Sequence, residues 1–483
     1  MRHIVAIDQS TSASKAFLVD EGGFIVERGA LEHKQHYPAP GRVEHDASEI
    51  WHNVQTLIDN LIDKAGAKNV AAIAISNQRE TTVLWDAASG EPVCPAIVWQ
   101  DVRGEAACRE LAAHAERVHE ITGLYLSPYF PAGKVRSLFA ERQDLKARAE
   151  KGELRLGTID SYLVYRLTGG KHLTDATNAS RTQLMELRSL TWSAELLDLF
   201  GIPASLMPEA ILGADGDFGS YRGIPITGVL GDSHAALFGQ GCHRPGMAKA
   251  TYGTGSSVMM NVGDAPVISR HGLSASVAFR VGGRTDYALE GNVTCSGDTL
   301  VWLCHDVGLF EGPQQIEALA GTVDDSRGAS LVPAFSGLGA PYFDSDARAL
   351  LCGMDRGVTR AHIARAALES IAQQDADVLE VMRAESGYAA DTLLTDGGPT
   401  KNRLLMQMQA DLANCDVRVA VASELSALGA AYIAGLKTGV FAAFDQIRAR
   451  ERTGASYSPA MPAPRRAELR AQWKAAIERA RIR

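Results

Sequence analysis

The sequence predicts an α/β protein built from two domains of related plan, one in each half of the chain. Three observations lead to this prediction. A chain of 483 residues is long enough for two or more domains with cores of their own. Strand-like apolar runs followed by β–α units occur in both halves. The turn-rich segment 239–245 lies between them, and we therefore expect domains at residues 1–242 and 243–483.

The first half begins with a meander of strands and continues with helices and further strands. The segment after Asp46 predicts a helix, because Asp46 suits the N-cap and Glu49 lies three residues further on. Apolar residues recur there with the 3.6-residue period of a helix that packs on one side. We also predict strands at 3–8, 14–20, 24–28, 70–76 and 81–86, and helices at 104–117 and about 134–150.

The second half repeats this style and ends in an alternation of strands and helices. The helical pattern over residues 360–386 is long, and it stops at Gly387, a residue type that commonly ends helices. Before it we predict strands at 247–261 and 274–290 and a helix near 297–306. After it we predict strands at 392–396 and 416–422 and helices at 402–413 and 426–438.

Composition and charge exclude several classes of protein. The net charge of −9 leaves no domain-wide basic surface, so we expect no nucleic-acid partner. No apolar stretch is long enough to cross a membrane, and no signal-peptide pattern precedes the first strand. The seven cysteines are scattered and form no C-x-x-C pair, which indicates reduced thiols in a cytoplasmic protein. The basic segment 465–483 predicts a solvated amphipathic helix rather than an anion-binding arm.

An acid ends the first strand pattern, and a polar turn follows it. Asp8 is followed by Ser10, Thr11 and Ser12, whose hydroxyls and backbone N–H groups can face an anion, and Lys15 lies close by. A carboxylate beside a phosphate cradle makes sense when a divalent metal lies between them, because the two negative groups otherwise repel each other. An ordinary turn with side-chain caps explains this motif equally well when it is taken alone.

Two further strand patterns also end at an acid. Asp232 follows an apolar run and opens a helix, where it can accept a proton from an attacking hydroxyl or simply cap the helix. Asp396 is followed by Gly397, Gly398 and a helix that begins near Asn402. Paired glycines let the backbone approach a flat adenosine or a phosphate closely. Only the three motifs together indicate phosphoryl transfer to an alcohol.

The order of these motifs resembles that of the FGGY family of carbohydrate kinases and, within it, of the glycerol kinases. The resemblance implies two actin/ribonuclease-H-like domains around a central cleft, a fold shared with hexokinases and Hsp70-type chaperones. It implies ATP and Mg²⁺ as cofactors and a small polyol or sugar as substrate, with no membrane partner; we also expect a homo-oligomer, a dimer or a tetramer. The matching segments are DQSTSASK (8–15), VEHD (43–46), NQRETT (77–82), AIVWQ (96–100), PYF (128–130), TDATNASRT (174–182), GDSHAALFGQ (231–240), TYGTG (251–255), ALEG (288–291), PAFSGLGAPYFD (333–344) and TDGGPTKN (395–402).

The resemblance also implies a role for individual residues. Asp232 is the implied general base, and Asp8 and Asp232 are the implied metal-binding acids. The positions that correspond to the polyol site are Arg79, Glu80, Trp99, Tyr129, Asp232, Ser233 and Ser257. The positions expected at the nucleotide and its phosphates are Ser10, Thr11, Ser12, Lys15, Thr254, Gly255, Gly297, Gly398 and Asn402.

The chain departs from the glycerol kinases at positions that decide specificity. Ser233 stands where they usually carry Gln, Ser257 where they carry Phe, and Ser10 where they carry Gly. Two large side chains reduced to Ser enlarge the pocket and make it more polar, which favours a four- or five-carbon polyol over glycerol. The alternatives are a true glycerol kinase whose extra space holds water, a ketose kinase, and a catalytically silent binding protein. The silent alternative is disfavoured because Asp8 and Asp232 are both present.

Overall fold

A computed structural model describes residues 2–422, 424–443 and 453–482 and contains one large sheet in each half of the chain. Both sheets combine an antiparallel meander with parallel strands. The strands are β1 (His3–Gln9), β2 (Ala13–Val19), β3 (Ile25–Glu32), β4 (Gln35–His36), β5 (Glu44–His45), β6 (Val70–Asn77), β7 (Thr82–Asp86), β8 (Ala96–Ile97), β9 (Leu154–Thr158), β10 (Leu173–Asp175), β11 (Met185–Glu186), β12 (Thr191–Trp192), β13 (Ala210–Leu212), β14 (Ser220–Tyr221), β15 (Ile224–Gly231), β16 (Ala248–Tyr252), β17 (Ser256–Gly263), β18 (Ser274–Val281), β19 (Arg284–Val293), β20 (Ser330–Val332), β21 (Leu350–Cys352), β22 (Thr392–Gly397), β23 (Asp416–Ala420) and β24 (Thr453–Tyr457).

Helices cover both sheets, and short 3₁₀ turns occur at Ala67–Asn69, Ala112–His114, Ala204–Leu206 and Gly398–Lys401. The α-helices in the described part of the chain are α1 (Ala47–Ala65), α2 (Glu105–Glu110), α3 (Ala115–Thr122), α4 (Pro131–Glu141), α5 (Gln143–Glu150), α6 (Ile159–Thr168), α7 (Ala176–Ala179), α8 (Ala194–Phe200), α9 (Asp232–Gly239), α10 (Gly297–His305), α11 (Pro313–Ala320), α12 (Arg360–Ser386), α13 (Arg403–Ala413), α14 (Leu425–Thr438) and α15 (Ala463–Ala480).

The two large sheets share one plan. The first has the order β14-β15-β6-β1-β2-β3, with β1, β2 and β3 antiparallel and β1, β6 and β15 parallel. The second has the order β18-β19-β17-β16-β22-β23-β24, with β16 antiparallel to β17 and parallel to β22. A meander that continues into parallel strands is the arrangement of ribonuclease-H-like domains. The predicted fold class is therefore confirmed.

Helix α1 forms where the sequence predicts it, for the predicted reason. The carboxylate of Asp46 accepts hydrogen bonds from the backbone N–H groups of Ser48 and Glu49, which satisfies two donors of the first turn. The helix packs on the first sheet beside β2. Its buried side, which forms part of one hydrophobic core, consists of Ala47, Ile50, Trp51, Val54, Leu57, Ile58, Leu61 and Ile62.

Four predicted elements are wrong in extent, because each is interrupted. The strands predicted at 247–261 and 274–290 are two hairpins, β16–β17 and β18–β19; the second turns at Gly282 and Gly283, both with positive φ. The helix predicted at 104–117 is α2, a 3₁₀ turn and α3. The helix predicted at 134–150 is α4, which begins at Pro131, and α5, with Arg142 outside helical geometry between them. The glycines of the two hairpin turns, at 253–255 and 282–283, were the available signal for those breaks, whereas the helix breaks at 112–114 and 142 contain no glycine or proline.

Two helices of the second half make contacts with residues far away in the sequence. Helix α14 packs on α9 and on β6, β1 and β15 of the first sheet. A Cβ atom at Gly429 would lie 1.9 Å from the carbonyl oxygen of Ala235, so only glycine permits this approach of α14 to α9. The predicted amphipathic C-terminal helix is observed as α15; on its buried side Trp473 donates to Asp377 at 2.7 Å.

Candidate active site

The parallel strands of the first sheet bring the predicted acids to one edge. Asp8 pairs in register with Ser76 near the end of β6, and Gly231 at the end of β15 pairs with Asn77. Asp232 follows Gly231 directly as the first residue of α9. The carboxyl ends of β1, β6 and β15 therefore lie side by side, and they place Asp8 and Asp232 at the same edge.

The two acids differ in environment. Asp8 is buried, and its carboxylate accepts a long hydrogen bond, 3.4 Å, from the hydroxyl of Ser76. Burial and then the negative charge of Asp232 raise the pKa of Asp8 to about 7. The side chain of Asp232 is 35% exposed and accepts a hydrogen bond of 2.6 Å from the N–H of Ser233. The exposed acid is the one available to a substrate.

The two carboxylates are chemically suited to a magnesium ion. Within residues 2–422, 424–443 and 453–482, no group of three or more His, Cys, Asp and Glu side chains can hold a metal ion. A pair of carboxylates suits Mg²⁺, which usually keeps several waters and takes phosphate oxygens as further ligands. Burial and then repulsion by Asp232 raise the pKa of Asp8, and such a cation would relieve that repulsion.

The turn after β1 is built largely by its own hydrogen bonds. The hydroxyl and the N–H of Ser10 both donate to the carbonyl of Ala13 at 2.9 Å. The hydroxyl of Thr11 accepts a hydrogen bond of 3.0 Å from the indole of Trp99, and Ser12 is exposed. The amine of Lys15 lies 3.3 Å from Glu424, so its charge is already partly compensated. The predicted roles of these residues at a phosphate stay predictions.

Alternating charges connect Asp232 with both halves of the chain. The Nε of Arg79 lies 3.2 Å from Asp232, while its two terminal nitrogens donate to Glu290 at 2.8 and 2.7 Å. Arg181 donates to Glu80 at 2.6 Å and lies 3.0 Å from Glu290, although at an angle that makes no hydrogen bond with it. Glu290 belongs to β19 of the second sheet, whereas the other four belong to the first half. This network therefore joins the halves at the predicted polyol site.

The network is charged despite its burial. Burial alone favours the neutral acid, but Arg181 and Arg79 hold the pKa of Glu290 well below its ordinary value. The sequence motifs ALEG and TDATNASRT contain Glu290 and Arg181, but sequence reasoning assigns neither residue a role. A glutamate inside the apolar strand pattern of β19 was the available signal, because acids are rarely buried without a partner.

Two aromatic rings form a wall beside this network. The rings of Trp99 and Tyr129 lie 5.7 Å apart between centroids and are tilted by 59°. The buried amine of Lys134, in the first turn of α4, donates to the backbone carbonyls of Trp99 at 3.0 Å and Tyr129 at 2.7 Å. Burial lowers the pKa of Lys134 to about 7, against the partial opposition of nearby acids. A neutral amine still has two N–H donors for these two carbonyls.

We expect the unfolding free energy of the wild-type chain to rise more steeply with pH than that of Lys134→Met above about pH 7. In the unfolded chain the amine keeps its proton up to the ordinary pKa of 10.5. The unfolded state therefore binds more protons in this window, and raising the pH favours the folded state by about 1.4 kcal/mol per pH unit. Urea unfolding of both variants at about pH 7.5, 8.5 and 9.5 measures the difference. Equal slopes for the two variants would contradict the prediction.

The two serines of the predicted pocket lie beside the charged residues. The hydroxyl of Ser257, on β17, donates a long hydrogen bond of 3.4 Å to Glu290. Ser233 follows Asp232 on α9 and is half-buried. Arg79 contacts Asp232 directly, whereas Glu80 and Ser257 join the network only through Arg181 and Glu290. Trp99 and Tyr129 are linked to each other through Lys134.

The second half brings its own predicted residues together at the end of β16. The carbonyl of Thr254 accepts from the N–H groups of Ser296 and Asp298 at 2.7 and 3.1 Å, and Gly297 donates to Gly253. The first turn of α10 is therefore tied to the turn 253–255. A Cβ atom at Gly255 would lie 2.3 Å from the carbonyl of Val293, so this turn requires glycine.

The glycine pair after β22 lies beside the turn 253–255. Gly397 pairs in register with Tyr252, and Gly398 is exposed with open space where a side chain would stand. The side-chain oxygen of Asn402 accepts a hydrogen bond of 2.9 Å from Leu405 and caps α13, which leaves its amide nitrogen for another partner. The second-half residues predicted at the nucleotide therefore lie together near the ends of β16 and β22.

Comparison with known proteins defines the class of this chain. The family models of the FGGY family of carbohydrate kinases match residues 3–239 for the N-terminal domain and residues 248–438 for the C-terminal domain. The chain therefore belongs to the FGGY family of carbohydrate kinases. It is a phosphotransferase with an alcohol group as acceptor.

Two of the similar proteins are glycerol kinases. Glycerol kinase 2 of Streptomyces avermitilis is 44% identical over 490 residues, which cover 99% of this chain and 97% of that protein. Glycerol kinase of Dechloromonas aromatica is 46% identical over 487 residues, with 99% and 97% covered. The chain is thus similar over nearly its whole length to glycerol kinases.

Solved structures agree with the fold. The crystal structure of Plasmodium falciparum glycerol kinase with ADP matches with a TM-score of 0.96 and 35% identity, covering 100% of this chain and 99% of that one. A ligand-bound xylulose kinase from Lactobacillus acidophilus matches with a TM-score of 0.88 at 23% identity, covering 99% of this chain and 97% of that one, which shows the shared fold alone.

Among the described residues, none of the helices is both long and apolar enough to pass through a membrane.

Proposed function

We propose that this chain transfers the γ-phosphoryl group of ATP to a primary hydroxyl of a small linear polyol, with Mg²⁺ as the metal. The observation that carries the proposal is the position of Arg79, which contacts both Asp232 and Glu290. This arginine ties the proposed base to the charged residues and serines of the proposed polyol pocket. The glycerol kinases among the relatives and the ADP in the Plasmodium structure support ATP and a polyol as substrates.

The proposed mechanism consists of positioning and proton acceptance. Asp232, half-exposed beside Arg79, accepts the proton of the attacking hydroxyl as the phosphoryl group arrives. Asp8 and Asp232 would hold Mg²⁺, which would supply positive charge against the phosphates. The turn after Asp8, the turn 253–255 and the residues Gly398 and Asn402 hold the nucleotide from the two sides of the cleft. The charged network keeps Arg79 in place while a hydroxyl binds.

We further propose that a four- or five-carbon polyol is preferred over glycerol. Serine at positions 233 and 257 leaves space and adds hydroxyls, and Ser257 lies within 3.4 Å of Glu290. A longer polyol gains contacts in that space, whereas glycerol leaves it to water. The overall likeness to glycerol kinases supports the second candidate, a true glycerol kinase. The cytoplasmic location and the homo-oligomer stay predictions from the sequence.

A substrate panel tests the proposal. ADP release is measured with ATP and Mg²⁺ and with glycerol, erythritol, threitol, ribitol, xylitol or xylulose as acceptor. We expect ADP release that depends on added polyol, with a higher kcat/KM for a four- or five-carbon polyol than for glycerol. A preference for glycerol over every longer polyol would establish the second candidate. Absence of acceptor-dependent ADP release with the whole panel would contradict polyol phosphorylation.

A further inference from the structure

A short buried segment of the first half contacts the ends of both strands that carry the site. This segment is the four-residue helix α7 with its cap, Asp175, whose carboxylate accepts from the backbone N–H groups of Thr177 and Asn178 at 2.8 and 3.0 Å. Thr177 and Asn178 are both completely buried. The sequence TDATNASRT contains all of these residues, and the proposed function uses none of them.

Consecutive residues of this segment hold the two strand ends. The side-chain hydroxyl of Thr177 accepts a hydrogen bond of 2.9 Å from the N–H of Gly231 and donates to Asp175 at 3.1 Å. The amide groups of Asn178 and Asn77 exchange two hydrogen bonds, of 2.9 and 3.0 Å. Since Gly231 and Asn77 are register partners, α7 closes the ends of β15 and β6 at the same level.

We propose that Thr177 is a positioning residue for Asp232, acting through the N–H of Gly231. Gly231 is the N-cap of α9 and the residue directly before Asp232, so a displacement of Gly231 moves the acid. The hydroxyl of Thr177 is fixed in turn by its own bond to Asp175, which leaves one orientation in which it accepts from Gly231. This inference rests on the proposed function, because it assumes that Asp232 is the base.

The test compares Thr177→Val, which keeps the shape but removes the hydroxyl, with Thr177→Ser, which keeps the hydroxyl. We expect Thr177→Val to lower kcat by about 10- to 100-fold, with both KM values within about threefold of wild type, because a small displacement of a reacting group is costly. Thr177→Ser should stay within about threefold of wild-type kcat. In an Asp232→Asn background, Thr177→Val should cost less than about twofold, since no base is left to displace.

The outcomes separate this inference from the proposed function. If Asp232→Asn alone keeps most of the turnover, the role of Asp232 is wrong, and the inference falls with it. If Asp232→Asn is slow but Thr177→Val has wild-type kcat, or costs the same factor in both backgrounds, only the positioning role is overturned. Should Thr177→Val not yield folded protein, Thr177→Ala replaces it with the same expectation. Failure of both to fold would show that Thr177 serves the fold and would also overturn the inference.

Discussion

Replacing Asp232 by Asn is expected to lower kcat by about 10²–10⁴-fold while the nucleotide and the polyol still bind. The amide keeps the shape of the side chain and can still accept from the N–H of Ser233. It cannot take a proton from the attacking hydroxyl at neutral pH, so the loss falls on the chemical step. Steady-state ADP release gives kcat, and equilibrium titration with ATP and with polyol gives the two affinities.

A matched control distinguishes loss of the base from general damage. Asp198→Asn changes an exposed acid on α8, and it should leave kcat and both affinities unchanged. Asp232→Asn with more than half of the wild-type turnover would show that Asp232 is a helix-terminal residue without a role in proton acceptance. A variant that neither turns over nor binds either substrate would also contradict the prediction, because the expected defect is confined to catalysis.

Replacing Ser257 by Phe is expected to reverse the order of polyol preference. The ring would fill the space beside Glu290 and present an apolar surface to the carbons of glycerol, while it collides with a longer chain. The expected change in the ratio of kcat/KM values, glycerol over the longer polyol, is roughly ten- to two-hundred-fold. Combining it with Ser233→Gln should move the ratio further, since neighbouring pocket residues seldom act independently.

Ser257→Ala is the matched control for this prediction. It removes the hydroxyl without filling the space, so the longer polyol should stay preferred if size determines the choice. If Ser257→Ala shifts the ratio as far as Ser257→Phe does, the hydroxyl is what selects the longer polyol, and the steric explanation is wrong. A wild-type chain that already prefers glycerol would contradict the premise of the whole series.

Local sequence signals predicted much of the fold. The cap at Asp46, the stop at Gly387 and the start of α13 at Asn402 are all observed, because each depends on a few neighbouring residues. The acids at strand ends were also visible locally, since a polar residue directly after an apolar run marks the end of a strand. The break at Arg142 was not, because no glycine or proline marks it, whereas the hairpin turn at Gly282 did carry the paired glycines of a turn.

The contacts within the site depend on residues far apart in the chain, and the sequence could not predict them. Glu290 meets Arg79 and Arg181 only because the two halves face each other, and no local pattern contains that information. Lys134 donates to two carbonyls that belong to separate loops. Nothing in the sequence around Lys134 therefore distinguishes it from an ordinary exposed lysine of a helix. The resemblance predicted which residues form the site, and the structure adds the side chains that contact them, Glu290 and Arg181 among them.

The packing of α14 has a consequence for how the chain folds during synthesis. This helix covers the face of the first sheet formed by β6, β1 and β15, yet it is made long after those strands have left the ribosome. Until then, apolar residues of this face such as Ile4, Ala74 and Leu230 lack their final partners, among them Leu428 and Ile433. The first half therefore stays incomplete, and a nascent chain that stalls within the second half exposes a surface on which chaperones bind or copies aggregate.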